Sequence, residues 1–292
     1  MSKSLTLTIV ANMTSNYGEG LGNISSIQKV FRNGKAYAIR SRESLKNAIM
    51  DQSGFYNDLK VTVDTATQKE VSKELNVSNC RALEGGYMKT SGDTLVRNSS
   101  FYLTDAVSCD EFVNETRFHN NLYMAQTYAK DNNLNLQKES KKCGLMPYQY
   151  EYDKSLKQYS ITIDLDMIGK DDNFNTEAEN TEKADRVIAL INTIKNLSLV
   201  VKGNLDNAEP VFVVGGIVDR KTHYFENVVG VKHNKLIITE DLVDRISDDC
   251  NVGLLKGSYL ENEQEIVEKL NPMTVEKFFG TLEEEVKTFY GV

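Results

Sequence analysis

Three cations crowd the start of one helix. In YAIRSRESLKNAI, residues 37–49, a short apolar strand runs into an amphipathic helix, and Arg40, Arg42 and Lys46 gather at the junction. A helix N-terminus carries partial positive charge and attracts Asp or Glu rather than Arg. An anion bound at the junction would remove the conflict. Backbone N–H groups at a helix start bind anions, and guanidinium groups fork onto phosphate oxygens. Ser41 is a good cap, and Arg42 and Lys46 share one helix face. The chemistry on offer is a phosphate clamp. The competing reading is a solvated cluster paired with acids elsewhere.

A second candidate is GGYMKT, residues 85–90. Its glycines permit close backbone approach, and Tyr87, Met88 and Lys89 can stack on and neutralise a single strand. Arg97 follows on the next expected strand, while Tyr87 and Met88 also suit a core. Other chemistries lack their residues. GEGLGN, with Gly18, Gly20 and Gly22, is not followed at once by the helix that a dinucleotide loop requires. No GxxxxGK[ST] or GxSxG occurs, and His119, His223 and His233 are not spaced as a metal pair. Asp164 and Asp166 share one strand face and read as solvent-facing carboxylates. The sequence therefore implies neither a cofactor nor a metal site.

The elements that position these residues are legible in outline. SLTLTIVAN (4–12) alternates as a half-buried strand. A Gly-rich loop follows at 15–23, then two strand-like runs about Asn33-Gly34, a strong hairpin signal. Ser41 caps the next helix, which buries Leu45, Ala48 and Ile49. A helix is expected near 65–76, a loop or second hairpin around Ser91-Gly92-Asp93, and a polar, mobile stretch over 130–144. Residues 157–169 read as a strand, 186–197 as a helix after an acidic loop, and 210–219 as a buried strand. Helices are expected near 239–249, 260–270 and 274–289. This order predicts an α+β sheet domain with large insertions.

The 292 residues carry a net charge of −8, 40% hydrophobic residues and a pI near 5.1. Nucleic-acid binders more often show a basic domain, but here the charge is uneven. Residues 23–50 hold Lys29, Arg32, Lys35, Arg40, Arg42 and Lys46 against Glu43 alone. MSKSLTLTIVANM does not read as a signal peptide, and no apolar run approaches the roughly 20 residues of a membrane span. Cys80, Cys109, Cys143 and Cys250 form no CxxC pair. Reduced thiols, a cytoplasmic location and no membrane partner are expected.

Five stretches taken in order carry a family resemblance. They are GNISSIQKVFRNGKAYAIRSRESLKNAI, EGGYMKTSGDTLVRNSSFYLTDAV, YSITIDLDMIG, TIKNLSLVVKGN and EPVFVVGGIV. Together they resemble the backbone subunit of type I CRISPR surveillance complexes, the Cas seven family, in its type I-B branch (the Cst/DevR group). The resemblance spans most of residues 4–220. Glu84-Gly85 stands where the family has Leu-Phe, and Asn98-Ser99-Ser100 lacks the family's proline.

The resemblance implies one domain over residues 1–292, with a modified RRM-like core. It implies inserted subdomains at approximately 51–156 and 198–210, likened to palm, fingers and a thumb hairpin. It implies a non-catalytic subunit polymerising head to tail along guide RNA (crRNA), an open heterologous assembly. Each subunit presents guide bases for pairing with target DNA. The implied further partners are the other Cascade subunits: a large subunit and Cas five and Cas six type proteins. Lys29, Arg32, Arg40, Ser41, Arg42, Ser44 and Lys46 would then line the palm on guide phosphates. Tyr87, Met88, Lys89 and Arg97 would meet flanking nucleotides, with Lys202 and Asn204 as a further RNA or thumb contact. Two other readings stay open here. One is a metal-dependent ribonuclease of type III character; the other is an acidic α+β protein with no nucleic-acid role.

Overall fold

Leu5, Leu7, Ile9, Ala11 and Met13 recur at period two, and this alternation builds β1 (Ser4–Thr14), with that face turned into the main core. The computed structural model describes residues 3–18, 24–64, 66–90, 92, 94–246, 250–257 and 259–292. The elements that follow in the main body are β2 (Lys29–Arg32), β3 (Lys35–Arg40), α1 (Arg42–Gln52), β4 (Phe101–Leu103), β5 (Ala106–Ser108) and β6 (Lys154–Asp164). Next come α2 (Asn180–Lys195), β7 (Pro210–Val218), β8 (Cys250–Leu254), β9 (Met273–Thr274) and α3 (Val275–Tyr290).

These strands form one nine-stranded sheet in the order β9-β8-β7-β1-β6-β5-β3-β2, with β4 also on β6. All its pairings are antiparallel except β8 with β9. Reading β1, α1, β4 with β5, β6, α2 and β7 as a βαββαβ unit gives an RRM-like core. Helices α1, α2 and α3 cover one face through Leu45, Ile49, Val187, Ile191, Phe278 and Leu282, against Leu7 and Ile161 of the sheet.

The other face departs from the half-buried expectation for β1. Thr6, Thr8, Ser160 and Thr162 point away from the helices, yet all four are buried. They bond in pairs across β1 and β6, Thr8 Oγ1 to Ser160 Oγ at 2.7 Å and Thr6 Oγ1 to Thr162 Oγ1 at 3.2 Å. The stretch after β7 closes over them. Thr162 Oγ1 donates to the Thr222 carbonyl and meets His223 Nδ1 at 2.9 Å, and the Tyr224 N–H donates to Thr6 Oγ1. A second apolar cluster, with Val10, Phe212, Phe225, Leu242 and Ile266, seals this side. Burying a polar row is tolerable because each hydroxyl keeps a partner.

The remaining segments sit between core elements. Asn33 and Gly34, both at positive φ, turn β2 into β3. The helix expected near 65–76 is not formed. Val61–Asp64 and Ala66–Lys69 pair as a hairpin, as their β-branched alternation favours, and residues 70–80 run on as turns and irregular chain. The second hairpin is present as Tyr87–Lys89 with Leu95–Arg97. Ser91 and Asp93 of its turn, and Gly20 and Gly22 of the glycine-rich loop, lie outside the described residues.

A helix at Leu122–Asp131, not foreseen, precedes the polar stretch at 130–144, which forms turns over Cys143. Helix α2 starts at Asn180, six residues before the expected start, because the acidic run supplies its first turns. Helix Glu240–Arg245 is shorter than expected, and residues 247–249 lie outside the described set. Asp164 is buried and paired with Lys221 at 2.9 Å, not solvent-facing. No described helix is long and apolar enough to cross a membrane.

Candidate nucleic-acid interface

Helix α1 starts at the end of β3, an outer strand of the sheet, so its N-terminus is presented beside the β2–β3 hairpin. Ser41 has extended backbone angles and its Oγ accepts from the Ser44 N–H at 3.3 Å, as a cap should. Two more N–H groups at the junction are also occupied. Ser41 N donates to Asn16 Oδ1 and Arg42 N to Asp105 Oδ1, each at 2.8 Å. This corrects the expectation of free N–H groups waiting for a phosphate. The cations are acceptable at this helix start because Asp105 and Glu43 stand beside them. Arg42 Nε donates to Glu43 at 2.7 Å, and its side chain remains 65% exposed.

The three cations of residues 37–49 therefore have different surroundings. Arg40 is buried, its Nε on the Thr14 carbonyl and Nη1 on Ser44 Oγ. Burial pulls its pKa below the usual value, with Asp206 opposing. Lys46 Nζ donates to the Gly85 carbonyl at 3.0 Å and Ser99 Oγ at 2.9 Å, 4.9 Å above the Phe101 ring. Burial first, then repulsion from Lys69, lowers its pKa to about 8.

The Lys46 shift has a testable sign. Unfolded Lys46 keeps its proton to about pH 10.5, whereas folded Lys46 loses it near 8, so the unfolded chain binds more protons between these values. Stability is expected to gain a rising component from about pH 8 to 10.5. Comparing urea midpoints of the wild type and Lys46→Met across this range checks it, because the variant should lack that component.

Two clefts flank Arg42. One, of about 750 Å3, runs between the β2–β3 hairpin and residues 226–231, with Arg32, Asn33, Tyr37 and Arg42 on its wall. The other, of about 330 Å3, is lined by Arg42, Glu43, Lys46, Ser99 and Phe101. Arg42 stands on the ridge between them. Arg32 is exposed at the hairpin tip, and Lys29 is held by Glu151 at 2.6 Å, within reach of the Phe112 ring.

The other expected site residues fall into two further places. Tyr87 is buried, its hydroxyl on Asp171 at 2.9 Å. Arg97 is buried too, donating to the carbonyls of Lys170, Asn98 and Met167 and to Ser100 Oγ. Met88 is 59% exposed, opposite Val96, with Lys89 half-buried beside it. Lys202 and Asn204 lie apart, on the Ser198–Val201 and Asn204–Asn207 hairpin. There Lys202 Nζ sits 4.9 Å over the Tyr17 ring. The structure thus brings Arg32, Arg42 and Lys46 to adjoining clefts, uses Arg40, Tyr87 and Arg97 inside the protein, and puts Lys202 and Asn204 elsewhere.

Sequence reasoning missed Asn16 and Asp105, which organise the helix start from distant segments. Among the described residues, no group of three or more His, Cys, Asp or Glu is placed to hold a metal ion.

The model of the family described as "CRISPR-associated negative auto-regulator DevR/Csa2" matches residues 49–240. The chain belongs to the DevR/Csa2 family. No curated protein matches it. Among solved structures, a chain described as "CRISPR RNA-guided surveillance complex, pre-nicking" superposes with a TM-score of 0.66 at 10% identity, covering 98% of this chain and 99% of that one. A chain of a "CRISPR RNA-guided surveillance complex" gives a TM-score of 0.53 at 12% identity, covering 98% of both chains. At such identity these superpositions speak for the fold, and they agree with an RRM-like core carrying insertions. The DevR/Csa2 match starts within α1, so it takes in Gly85–Arg97 and Lys202–Asn204 but not Arg32–Lys46.

Proposed function

We propose that this DevR/Csa2 chain is a guide-RNA-binding backbone subunit of a type I CRISPR surveillance complex. In this role it is non-catalytic, repeats head to tail along the guide and presents it to target DNA beside other Cascade subunits. The subtype proposed is I-B, from the five sequence blocks. The family match carries this reading, and the geometry supports one location for the RNA. The central sheet face is closed by residues 220–224, so RNA has no access to the polar row on β1 and β6. Among the described residues, the ridge of Arg42 offers an accessible cationic surface near the core, with Arg32 across the larger cleft and Lys46 at the floor of the smaller one. Of the expected phosphate contacts, Arg32 and Arg42 are assigned the direct ones, and Arg40 and Ser44 support them from beneath. The segments around 53–100 and 109–153 act as fingers, and the 198–207 hairpin as the thumb.

Binding of the Arg32→Ala/Arg42→Ala double variant to single-stranded RNA tests this. Affinity is expected to fall roughly tenfold or more, since each charge-assisted hydrogen bond contributes about 1.5–3 kcal/mol, with the melting temperature unchanged. Arg40→Ala should instead lower the melting temperature, because it uncovers the Thr14 carbonyl. Unchanged affinity in the double variant would remove the ridge from the RNA path. Mg2+-dependent cleavage of target RNA would favour the ribonuclease reading.

A further inference from the structure

An amino group lies at the floor of the smaller cleft beside Arg42. Helix α1 places Lys46 one turn after Arg42, so both side chains reach the same opening of about 330 Å3, together with Phe101, Tyr102 and Leu103. Lys46 Nζ is held there, on the Gly85 carbonyl at 3.0 Å and Ser99 Oγ at 2.9 Å, with the Phe101 ring centre 4.9 Å away. The side chain is half-buried. It is a fixed nitrogen against apolar surface rather than a freely solvated cation.

A second cation stands close by. Gly85 has no side chain, and a Cβ at that position would lie 3.4 Å from Lys69 Nζ and 3.7 Å from Lys46 Cε, so the two lysines approach each other over this glycine. Lys69 is tied to the Ala82 and Gly86 carbonyls, each at 2.9 Å. Glu43, the acid that opposes Lys69 at Lys46, is bound to Arg42. Burial and Lys69 together favour the neutral amine. At pH 7 a pKa of about 8 leaves roughly 10% of Lys46 as free base, against about 0.03% for an ordinary lysine.

We propose that Lys46 is an acylation site whose acyl donor is a small acyl phosphate. Arg42 stands at the rim of the cleft, 65% exposed, with its Nε on Glu43. A guanidinium has further N–H donors, in a geometry that suits phosphate oxygens. Phe101 and Leu103 offer apolar surface to a short acyl chain. The lone pair of neutral Nζ attacks the acyl carbonyl carbon. The bond from that carbon to the bridging phosphate oxygen breaks, its electrons leave on the phosphate, and the Nζ proton passes to the phosphate or to water. The products are an amide at Lys46 and inorganic phosphate, and nothing is oxidised or reduced. The amide keeps one N–H for one of the two acceptors that hold the lysine.

Acylation removes a positive charge from the smaller cleft, one flank of the Arg42 ridge, and so lowers affinity for RNA. That consequence rests on the RNA-binding reading above, whereas the site itself rests on the cleft and its lysine.

The test incubates the full chain with acetyl phosphate and follows each lysine by peptide mass spectrometry. At pH 7 Lys46 is expected to react about tenfold or more faster than the exposed Lys60 and Lys138, because far more of it is free amine. Its rate should level off above about pH 8. Arg42→Gln should slow the reaction with acetyl phosphate severalfold and leave the reaction with a neutral ester, phenyl acetate, unchanged. Lys46 reacting no faster than Lys60, or Arg42→Gln acting equally on both reagents, overturns the site. Acetylated wild type should bind single-stranded RNA severalfold more weakly than untreated protein, while Lys46→Arg loses much less on the same treatment. An equal loss in Lys46→Arg overturns control through Lys46. If untreated wild type binds no RNA, the RNA-binding reading falls, and the mass spectra still decide the acylation site.

Discussion

Glu84→Ala is expected to destabilise the protein by about 3–5 kcal/mol, the usual cost of leaving a buried charge without its partner. Glu84 is fully buried. Its carboxylate accepts from Arg186 Nη1 at 2.9 Å, Gly169 N at 2.7 Å, Arg97 Nη2 at 3.4 Å, and the Ser100 hydroxyl. These donors come from α2, the turn after β6 and residues 97–100, so one side chain ties the first insertion to the core. Arg186, 1% exposed at its side chain, would keep Glu182 and the Val77 and Ser78 carbonyls but lose its buried counter-charge. Thermal melting should fall by on the order of 10 °C. A melting temperature within a degree or two of wild type would contradict this role. Because Gly85 follows Glu84 and its carbonyl accepts from Lys46, the smaller cleft should loosen as well.

Gly215→Ala is expected to be at least as damaging. Gly215 lies in the middle of β7 with φ at 155°, paired with Leu7 of β1. A Cβ there would stand 1.9 Å from the Thr6 carbonyl oxygen and 2.9 Å from Leu7 Cδ2. The obstructing atom belongs to backbone in the central ladder, so the clash cannot be relieved by turning a side chain. Overpacking and backbone strain together put the loss at ~3–5 kcal/mol or more. Insoluble protein, or melting lowered on the order of 10 °C, is the expected result; a soluble variant melting with the wild type would refute the reading of this position.

The sequence disclosed what depends on neighbouring residues. Alternation in SLTLTIVAN, Asn33-Gly34 between two strand-like runs, and Ser41 ahead of an apolar helix face are local signals, and β1, the β2–β3 hairpin and α1 follow them. The helix expected at 65–76 failed because a β-branched run pairs with its neighbour and Lys69 is drawn onto the Ala82 and Gly86 carbonyls. The charge cluster was visible, but its division was not. Arg40 and Arg42 differ in role because their side chains point to opposite sides of the cap, one under β1 and one to solvent. Asn16 and Asp105, which take the helix N–H groups, lie 25 and 63 residues from their partners. No spacing rule reaches that far.

RNA binding through the Arg42 ridge stands or falls on a salt titration of affinity. Each phosphate held by a cation releases counterions, so the logarithm of affinity for single-stranded RNA should fall linearly with the logarithm of salt, by about 0.7 per neutralised phosphate. The wild type should show a steep slope. The slope of Arg32→Ala/Arg42→Ala should be shallower by about 0.7 for each phosphate that the variant no longer holds. A wild-type protein that does not bind RNA, or a slope that the double substitution leaves unchanged, would overturn the assignment.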